Sequence, residues 1–379
     1  MNSTSTKAAI PPAEFDLYSI PPLIGNDAVA PALRGRIRAA RARLGARVAV
    51  LGHHYQRDDV IAFADKRGDS LDLSAYAADL PSVEYVVFCG VHFMAETADI
   101  LTDASVRVIL PDLRAGCSMA DMAEIDQVEM AWDVLRAATP ETIIPITYIN
   151  STADLKAFCG RNGGAVCTSS NARRVVQWAL ERGSKVLFFP DQHLGRNTCH
   201  DLGVALDDMV VYDPHDPNER TGGNPLSAYA EKRAILWRGH CSVHMNFKPN
   251  HPDLWRQRVP GINIIVHPEC QFEVVHNADL AGSTKFIIET VANSPTGSKW
   301  AIGTEHHLVD RLRQEHPDKF ITSLAPYACQ CSTMFRISPE ALCATLENLA
   351  DGRERNVVSV PEETAKWATV ALERMLELR

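Results

Sequence analysis

Ten cysteines, at positions 89, 117, 159, 167, 199, 241, 270, 329, 331 and 343, are the residues of this 379-residue chain with the widest chemical repertoire. Thiols can pair as disulfides, bind soft metals or fill a core. The opening stretch MNSTSTKAAIPPAEF has no apolar h-region. Export by a cleaved signal is therefore not expected, and in the cytoplasmic setting this implies the thiols stay reduced. There is no CxxC and no Cys/His block of zinc-finger spacing, so a local structural zinc site is not expected either. A metal centre would have to be assembled from cysteines far apart in the chain. Cys89, Cys159, Cys167 and Cys343 sit in apolar surroundings and read as small buried hydrophobes, the commonest use of a free cysteine. Cys117 in AGCSMADM, Cys241 in GHCSVH and one of Cys329 and Cys331 in CQCSTM lie instead in polar or glycine-containing loops. Such thiolates favour iron–sulfur clusters, zinc or copper(I) over hard cations. Three thiolates on a four-iron cluster leave one iron without a protein ligand, a vacancy that fully ligated electron carriers lack and that suits Lewis-acid chemistry.

Proton transfer near neutral pH needs imidazoles, carboxylates or phenols within reach of a substrate. His267-Pro268-Glu269 sets an imidazole and a carboxylate two residues apart, stiffened by the proline between them. Tyr55 and His244 are further candidates. Imidazoles and hydroxyls also stand in polar clusters such as HHYQ, YINS and CTSSN. For a lone Ser or Thr such as Ser70 or Ser169, helix capping is an equally good reading.

The elements that must position these residues alternate short β-branched runs with amphipathic stretches, the pattern of βα units and parallel sheets. Strands are expected at 48–55, 83–91, 106–112, 142–150, 164–170, 185–191, 233–239, 262–269, 279–284, 300–307 and 319–324. Several are apolar almost throughout, as strands covered by helices on both faces must be. The polar clusters, among them HHYQ, YINS, CTSSN, PDQHLGRN, HPEC and GTEHH, stand just past the carboxyl ends of these strands, where open α/β sheets bind ligands. The pattern divides into thirds, each closing on one of the three cysteine loops. The expected division is an N-terminal extension at 1–35, αβα domains at 36–122, 123–245 and 246–340, and C-terminal helices at 341–379 that pack back on the body. One helix is expected near 32–45. Another begins at Ser338-Pro339-Glu340, where serine caps and proline takes the first position, and ends near Gly352. A closing helix over 361–379 places Ala368, Ala371, Leu372 and Met375 on one face. The formal charge of −9 argues against a nucleic-acid binder, and no apolar run approaches the roughly 18 residues of a membrane span.

Taken in order, GHHYQ, GDSLDLS, GVHFMAETA, AGCSMAD, YINSTADLKA, CTSSNA, FPDQHLGR, GHCSVH, VHPE, AGST and C-x-x-M make the chain from about residue 46 onward resemble the quinolinate synthases, iron–sulfur enzymes of de novo NAD biosynthesis. The resemblance implies α/β architecture, with three pseudo-threefold-related αβα domains carrying short parallel sheets around a central active site. It also implies a [4Fe-4S] cluster and the condensation of iminosuccinate (iminoaspartate) with dihydroxyacetone phosphate to quinolinate, phosphate and water, with L-aspartate oxidase as a supplier of iminosuccinate. Its ligands match Cys117, Cys241 and, three residues before Met334, Cys331. Cys329 is then a spare thiol or a redox partner, and Ser332 stands where many relatives have proline. Substrate binding falls to positions matching His53, Ser70, Tyr148, Asn150, Ser169, His267, Glu269 and Thr284. Glu269 is expected to be the general base, Tyr55 to protonate or orient a leaving oxygen, and His244 to face the open iron or the phosphate, or to serve structurally. His54, where relatives often have Tyr or Asn, should point away, and Gln192 replaces a lysine found in some relatives. Two other readings compete: an iron–sulfur hydro-lyase acting on a hydroxy acid, which needs no phosphate site, and a non-catalytic iron or redox sensor.

Overall fold

The computed structural model describes residues 29–80, 83–217 and 219–378. Its first helix, α1 (Pro31–Leu44), uses proline in its first turn and buries Ile37, Ala40 and Leu44. The expected boundary at residue 35 therefore falls inside α1, and the rest of the expected extension, 1–28, lies outside the described residues.

Three sheets follow. In the first, β1 (Val48–His53) leads through α2 (Asp58–Ile61) to β2 (Lys66–Gly68). Then come α3 (Ser70–Ala78), β3 (Tyr85–Cys89), α4 (His92–Leu101) and β4 (Arg107–Ile109). In the second, α5 (Ile125–Ala138) precedes β5 (Ile143–Tyr148), α6 (Ala153–Arg161), β6 (Ala165–Cys167) and α7 (Ala172–Arg182). It continues with β7 (Lys185–Phe189), α8 (Gln192–Asp201), β8 (Met209–Tyr212), α9 (Leu226–Glu231) and β9 (Ala234–Trp237). The third follows α10 (His251–Arg258) with β10 (Asn263–Val266), α11 (Phe272–His276), β11 (Leu280–Ala281) and α12 (Thr284–Asn293). It ends with β12 (Lys299–Gly303), α13 (His306–Glu315) and β13 (Phe320–Ser323). The chain closes with α14 (Pro339–Ala350), β14 (Val357–Val358) and α15 (Glu362–Glu377).

One strand order recurs. The sheets run β2-β1-β3-β4, β6-β5-β7-β9 and β11-β10-β12-β13, every pair parallel. Each begins at an inner strand, steps outward once, then crosses back and continues to the other side. The order reverses between the first and third strands, where an open α/β sheet forms a crevice at its carboxyl edge. The repeat is decorated differently in each sheet: β8 adds beyond β9, and β14 pairs antiparallel with β4. The central strands are buried from end to end, as β1, β3, β5 and β7 show, which explains their unbroken apolar runs.

All eleven expected strands are present, but most stop two or three residues short of the expected carboxyl end. There the polar residues leave the sheet and turn into the next helix. The shortest is 279–284, where pairing covers only Leu280–Ala281 and Thr284 already begins α12. Three strands went unread. β2 is a polar three-residue edge (KRG), β14 has two residues, and β8 is half-exposed. At the carboxyl end, Ser338 Oγ accepts the Ala341 N–H at the start of α14, Gly352 adopts φ 76° just past it, and α15 buries Ala368, Ala371, Leu372 and Met375.

Candidate active site

The repeated topology supplies each class of functional residue three times. The first strands end on His53 and Tyr55, on Tyr148 and Asn150, and on His267 and Glu269. The second strands lead to Ser70, Ser169 and Thr284, and the fourth strands to the loops of Cys117, Cys241 and Cys331. All twelve line one cavity, with about 660 Å³ of atom-free space including its mouth. His54 does not line it. Capping does not account for the hydroxyls. Asp69 caps α3 and Ser283 caps α12, while Asn171 is the N-cap residue of α7; Ser70, Ser169 and Thr284 stand beside them.

The cysteine loops are built alike. The backbone N–H four residues on, from Asp121, Met245 and Phe335, donates to the carbonyl of Cys117, Cys241 and Cys331, each at 3.1 Å. Two residues before each cysteine, the carbonyls of Ala115, Gly239 and Cys329 accept the first N–H of the facing helix, from His92 (2.8 Å), Gln192 (3.0 Å) and His306 (3.0 Å). This register resolves the CQC pair. Cys331 is the equivalent of Cys117 and Cys241, whereas Cys329 is equivalent to an alanine and a glycine, and its thiol faces the Tyr327 carbonyl at 3.7 Å. Burial pushes the Cys117 thiol up to about 12 and the Cys241 and Cys331 thiols upward too. The N–H groups of Ala120, His244 and Met334, each three residues on, oppose that rise. A buried thiol surrendering its proton needs a cation in exchange, so three such thiols on one cavity fit a thiolate-bound metal centre. All ten cysteines are free thiols, and Cys89, Cys159, Cys167 and Cys343 are buried as expected.

Glu269 is the electrostatic centre of the polar wall beside Cys241. It is 3% exposed, and burial alone would raise its carboxyl. The His244 and His267 rings and the Tyr148 hydroxyl outweigh burial and hold it below the ordinary carboxylate range. His244 Nδ1 lies 2.8 Å from Glu269 Oε2, close but off the direction of a good hydrogen bond. The His244 ring stacks on His267 with centroids 4.6 Å apart. Burial lowers His53 and His267 to about 3, so both rings are neutral at physiological pH. Each accepts at Nδ1 the backbone N–H two residues on, from Tyr55 (3.1 Å) and Glu269 (3.4 Å), which leaves Nε2 to carry the proton. The Tyr55 hydroxyl sits between Thr284 Oγ1 (3.0 Å) and Thr304 Oγ1 (2.8 Å), pinning the first sheet to the third. Burial raises both the Tyr55 and Tyr148 phenols, keeping them protonated donors. Cys241, His244 and Glu269 also bring one donor atom each to within 4.8 Å of one another, which is the spacing of ligands around a single ion.

The sequence reading did not single out Asp69, Met94 or Asp191. Asp69 joins two sheets, accepting from Asp72 N–H (2.9 Å) and Ser170 Oγ (2.8 Å) at the cavity edge. Met94, in GVHFM, forms part of an apolar wall with Phe93. Asp191, fully buried, caps α8. The signal was present, because all three stand in strand-end clusters, but an acidic residue before a helix reads first as a cap.

A family model described as Quinolinate synthetase A protein matches residues 35–377. A quinolinate synthase of Geobacillus sp. (strain WCH70) is 56% identical over 343 residues, 90% of this chain and 92% of the relative. One from Rhodopirellula baltica is 55% identical over 358 residues, 92% and 91% of the two chains. Another, from Nocardioides sp., is 56% identical over 356 residues, 92% and 90%. With the same motifs carried by the threefold repeat, this chain belongs to the quinolinate synthetase A family.

Proposed function

We propose that the chain is a quinolinate synthase, condensing iminosuccinate with dihydroxyacetone phosphate to give quinolinate, phosphate and water. Cys117, Cys241 and Cys331 hold its [4Fe-4S] cluster. The observation that carries this reading is the opening of three equivalent cysteine loops onto the cavity that also holds Glu269, two neutral imidazoles and two protonated phenols. When bound, the cluster supplies an iron free of protein ligands that acts as a Lewis acid.

Closing the pyridine ring joins one C–C and one C–N bond and expels phosphate and water. Protons must leave carbon and reach departing oxygens. Glu269 takes the protons removed from carbon. Its carboxylate is ionised at neutral pH and buried, where a base acts without competition from solvent. Tyr55, aligned by two threonine hydroxyls, delivers or orients a proton at a leaving oxygen. His244 lies against Glu269 and steadies its charge. The substrates are anions, yet among the described residues no lysine or arginine lines the cavity. His53 and His267 Nε2–H, the Ser70, Tyr148, Ser169 and Thr284 hydroxyls and the Asn150 amide bind them, helped by backbone N–H groups at the starts of α3 and α12. The three sheets with their helices form three domains at 36–122, 123–245 and 246–340, followed by the C-terminal helices. L-aspartate oxidase supplies the short-lived imine. Among the described residues no helix is long and apolar enough to cross a membrane.

Anaerobic reconstitution with iron and sulfide counting, followed by a quinolinate assay, tests the proposal. About four iron and four sulfide per chain are expected. Glu269→Gln should keep them while losing turnover about 100-fold or more. A single metal ion without sulfide would favour the Cys241, His244 and Glu269 group instead. A hydro-lyase would release no phosphate from dihydroxyacetone phosphate when iminosuccinate is supplied.

A further inference from the structure

The motif GTEHH has no place in the chemistry so far, yet its Glu305 is wholly buried. Glu305 follows β12 and caps α13. Oε2 accepts the His307 N–H at 2.7 Å, and Oε1 accepts His307 Nδ1 at 2.9 Å and the backbone N–H of Cys331 at 3.2 Å. One side chain thus ties a helix start to the backbone of the third cysteine. The second repeat has a related but looser arrangement. Asp191 follows β7 and caps α8, with Oδ1 accepting His193 and Leu194 N–H at 2.7 Å each. Its Oδ2 is buried without a well-formed hydrogen bond and faces the backbone N–H of Cys241. The first repeat differs, since Val91 occupies the matching cap of α4 and offers Cys117 no acceptor.

We infer that Glu305 and Asp191 are positioning residues that fix the backbones of Cys331 and Cys241, while Cys117 is left without this clamp. The inference rests on the proposed thiolate site and adds a division of labour within it. Glu305 ties the Cys331 N–H to the start of α13, and Asp191 faces the Cys241 N–H from the start of α8, so each sulfur is already placed before anything binds. Second-contact groups of this kind orient ligands and tune affinity without touching the metal. An amide in place of Glu305 keeps size and shape. In either orientation, however, its NH2 opposes a backbone N–H, that of Cys331 or that of His307, so one hydrogen bond is lost and a repulsion gained.

The test compares wild type, Glu305→Gln and Asp191→Asn as full-length chains. In the iron-free protein under anaerobic conditions, alkylation by iodoacetamide is followed site by site by mass spectrometry. Glu305→Gln should speed alkylation of Cys331 but not Cys241, Asp191→Asn should do the reverse, and neither should change Cys117. In reconstituted protein, release of iron to a chelator should be about 10- to 100-fold faster in both variants. A uniform rise at all three thiols, or no rise at the paired one, would overturn the inference. Should Glu305→Gln fail to fold, Asp191→Asn reads the same device at Cys241. If wild type binds no cluster, the functional proposal fails, yet the alkylation pattern still decides whether the clamp exists.

Discussion

Lys156 is a fully buried lysine on α6, and its substitution by methionine gives a quantitative test of how the site is built. Its Nζ donates to the Ser151 carbonyl at 2.5 Å and lies 5.6 Å from the centre of the Phe93 ring. Ser151 Oγ in turn donates to the Tyr148 carbonyl at 2.7 Å, so the ammonium braces the turn that carries Tyr148 and Asn150. Burial pulls the ammonium down from 10.5 to about 8, with Glu96 and then Cys159 opposing that shift. The folded state therefore binds this proton less tightly than the unfolded chain, and stability must rise as pH climbs from the folded value toward the unfolded one. Below pH 8 the full penalty on the charge, about 3 kcal/mol, is in force. By pH 9.5 about 2 kcal/mol of it has been relieved. Lys156→Met removes the penalty and also strands the Ser151 carbonyl, a loss of about 1–3 kcal/mol that does not depend on pH. The variant should be near wild type in stability at pH 7 and less stable than wild type by about 2 kcal/mol more at pH 9.5. Paired urea titrations at the two pH values measure this, because the difference between the chains cancels every other titrating group. A stability difference that stays constant, or shifts in the variant's favour as pH rises, would refute the reasoning.

Two other outcomes follow from geometry. Cys331→Ser should abolish iron binding and Cys329→Ser should leave it intact, because only Cys331 occupies the position of Cys117 and Cys241 in the repeated loop; iron counts on the two reconstituted variants check this. Gly160→Ala should destabilise the chain by about 3 kcal/mol or more in urea, because the added methyl would lie 1.9 Å from the Trp367 carbonyl oxygen, where α6 and α15 approach backbone to backbone, and both helices also pack on β6.

Much of this site was legible because its signals were local. A strand that ends in HHY, YIN or HPE announces both the strand and the chemistry at its end, and the polar loops fall together because parallel strands point the same way. The four-step strand order within each sheet was not legible. It depends on which apolar runs pair, and runs such as VLFF and AILW carry no label of their neighbours. Cys331 shows the boundary. Spacing to Met334 selected it only through resemblance, whereas the physical reason is the His306 N–H bonded to the Cys329 carbonyl, a contact 23 residues apart that no local pattern encodes. Asp191 and Glu305 were hidden for another reason. Their caps are visible in sequence, and a cap is a sufficient explanation until the second carboxyl oxygen is seen to face a cysteine.

The repeat also explains how one backbone plan yields an asymmetric site. Three equivalent loops present three equivalent sulfurs, which suits a cube held through three of its four metal corners. The first-strand positions break the equivalence. His53 and His267 share the same Nδ1 hydrogen bond to the residue two places on, yet that residue is Tyr55 in one repeat and Glu269 in the other. A phenol raised by burial and a carboxylate lowered by two imidazoles thus occupy matching positions, one keeping its proton and the other without one at neutral pH. Opposite proton affinities at equivalent sites give a donor and an acceptor on two sides of one cavity, which is what a condensation that both removes and delivers protons requires. Exchanging the two side chains would keep the hydrogen-bond frame but reverse that polarity, so the direction of proton flow is set by the side chains and not by the fold.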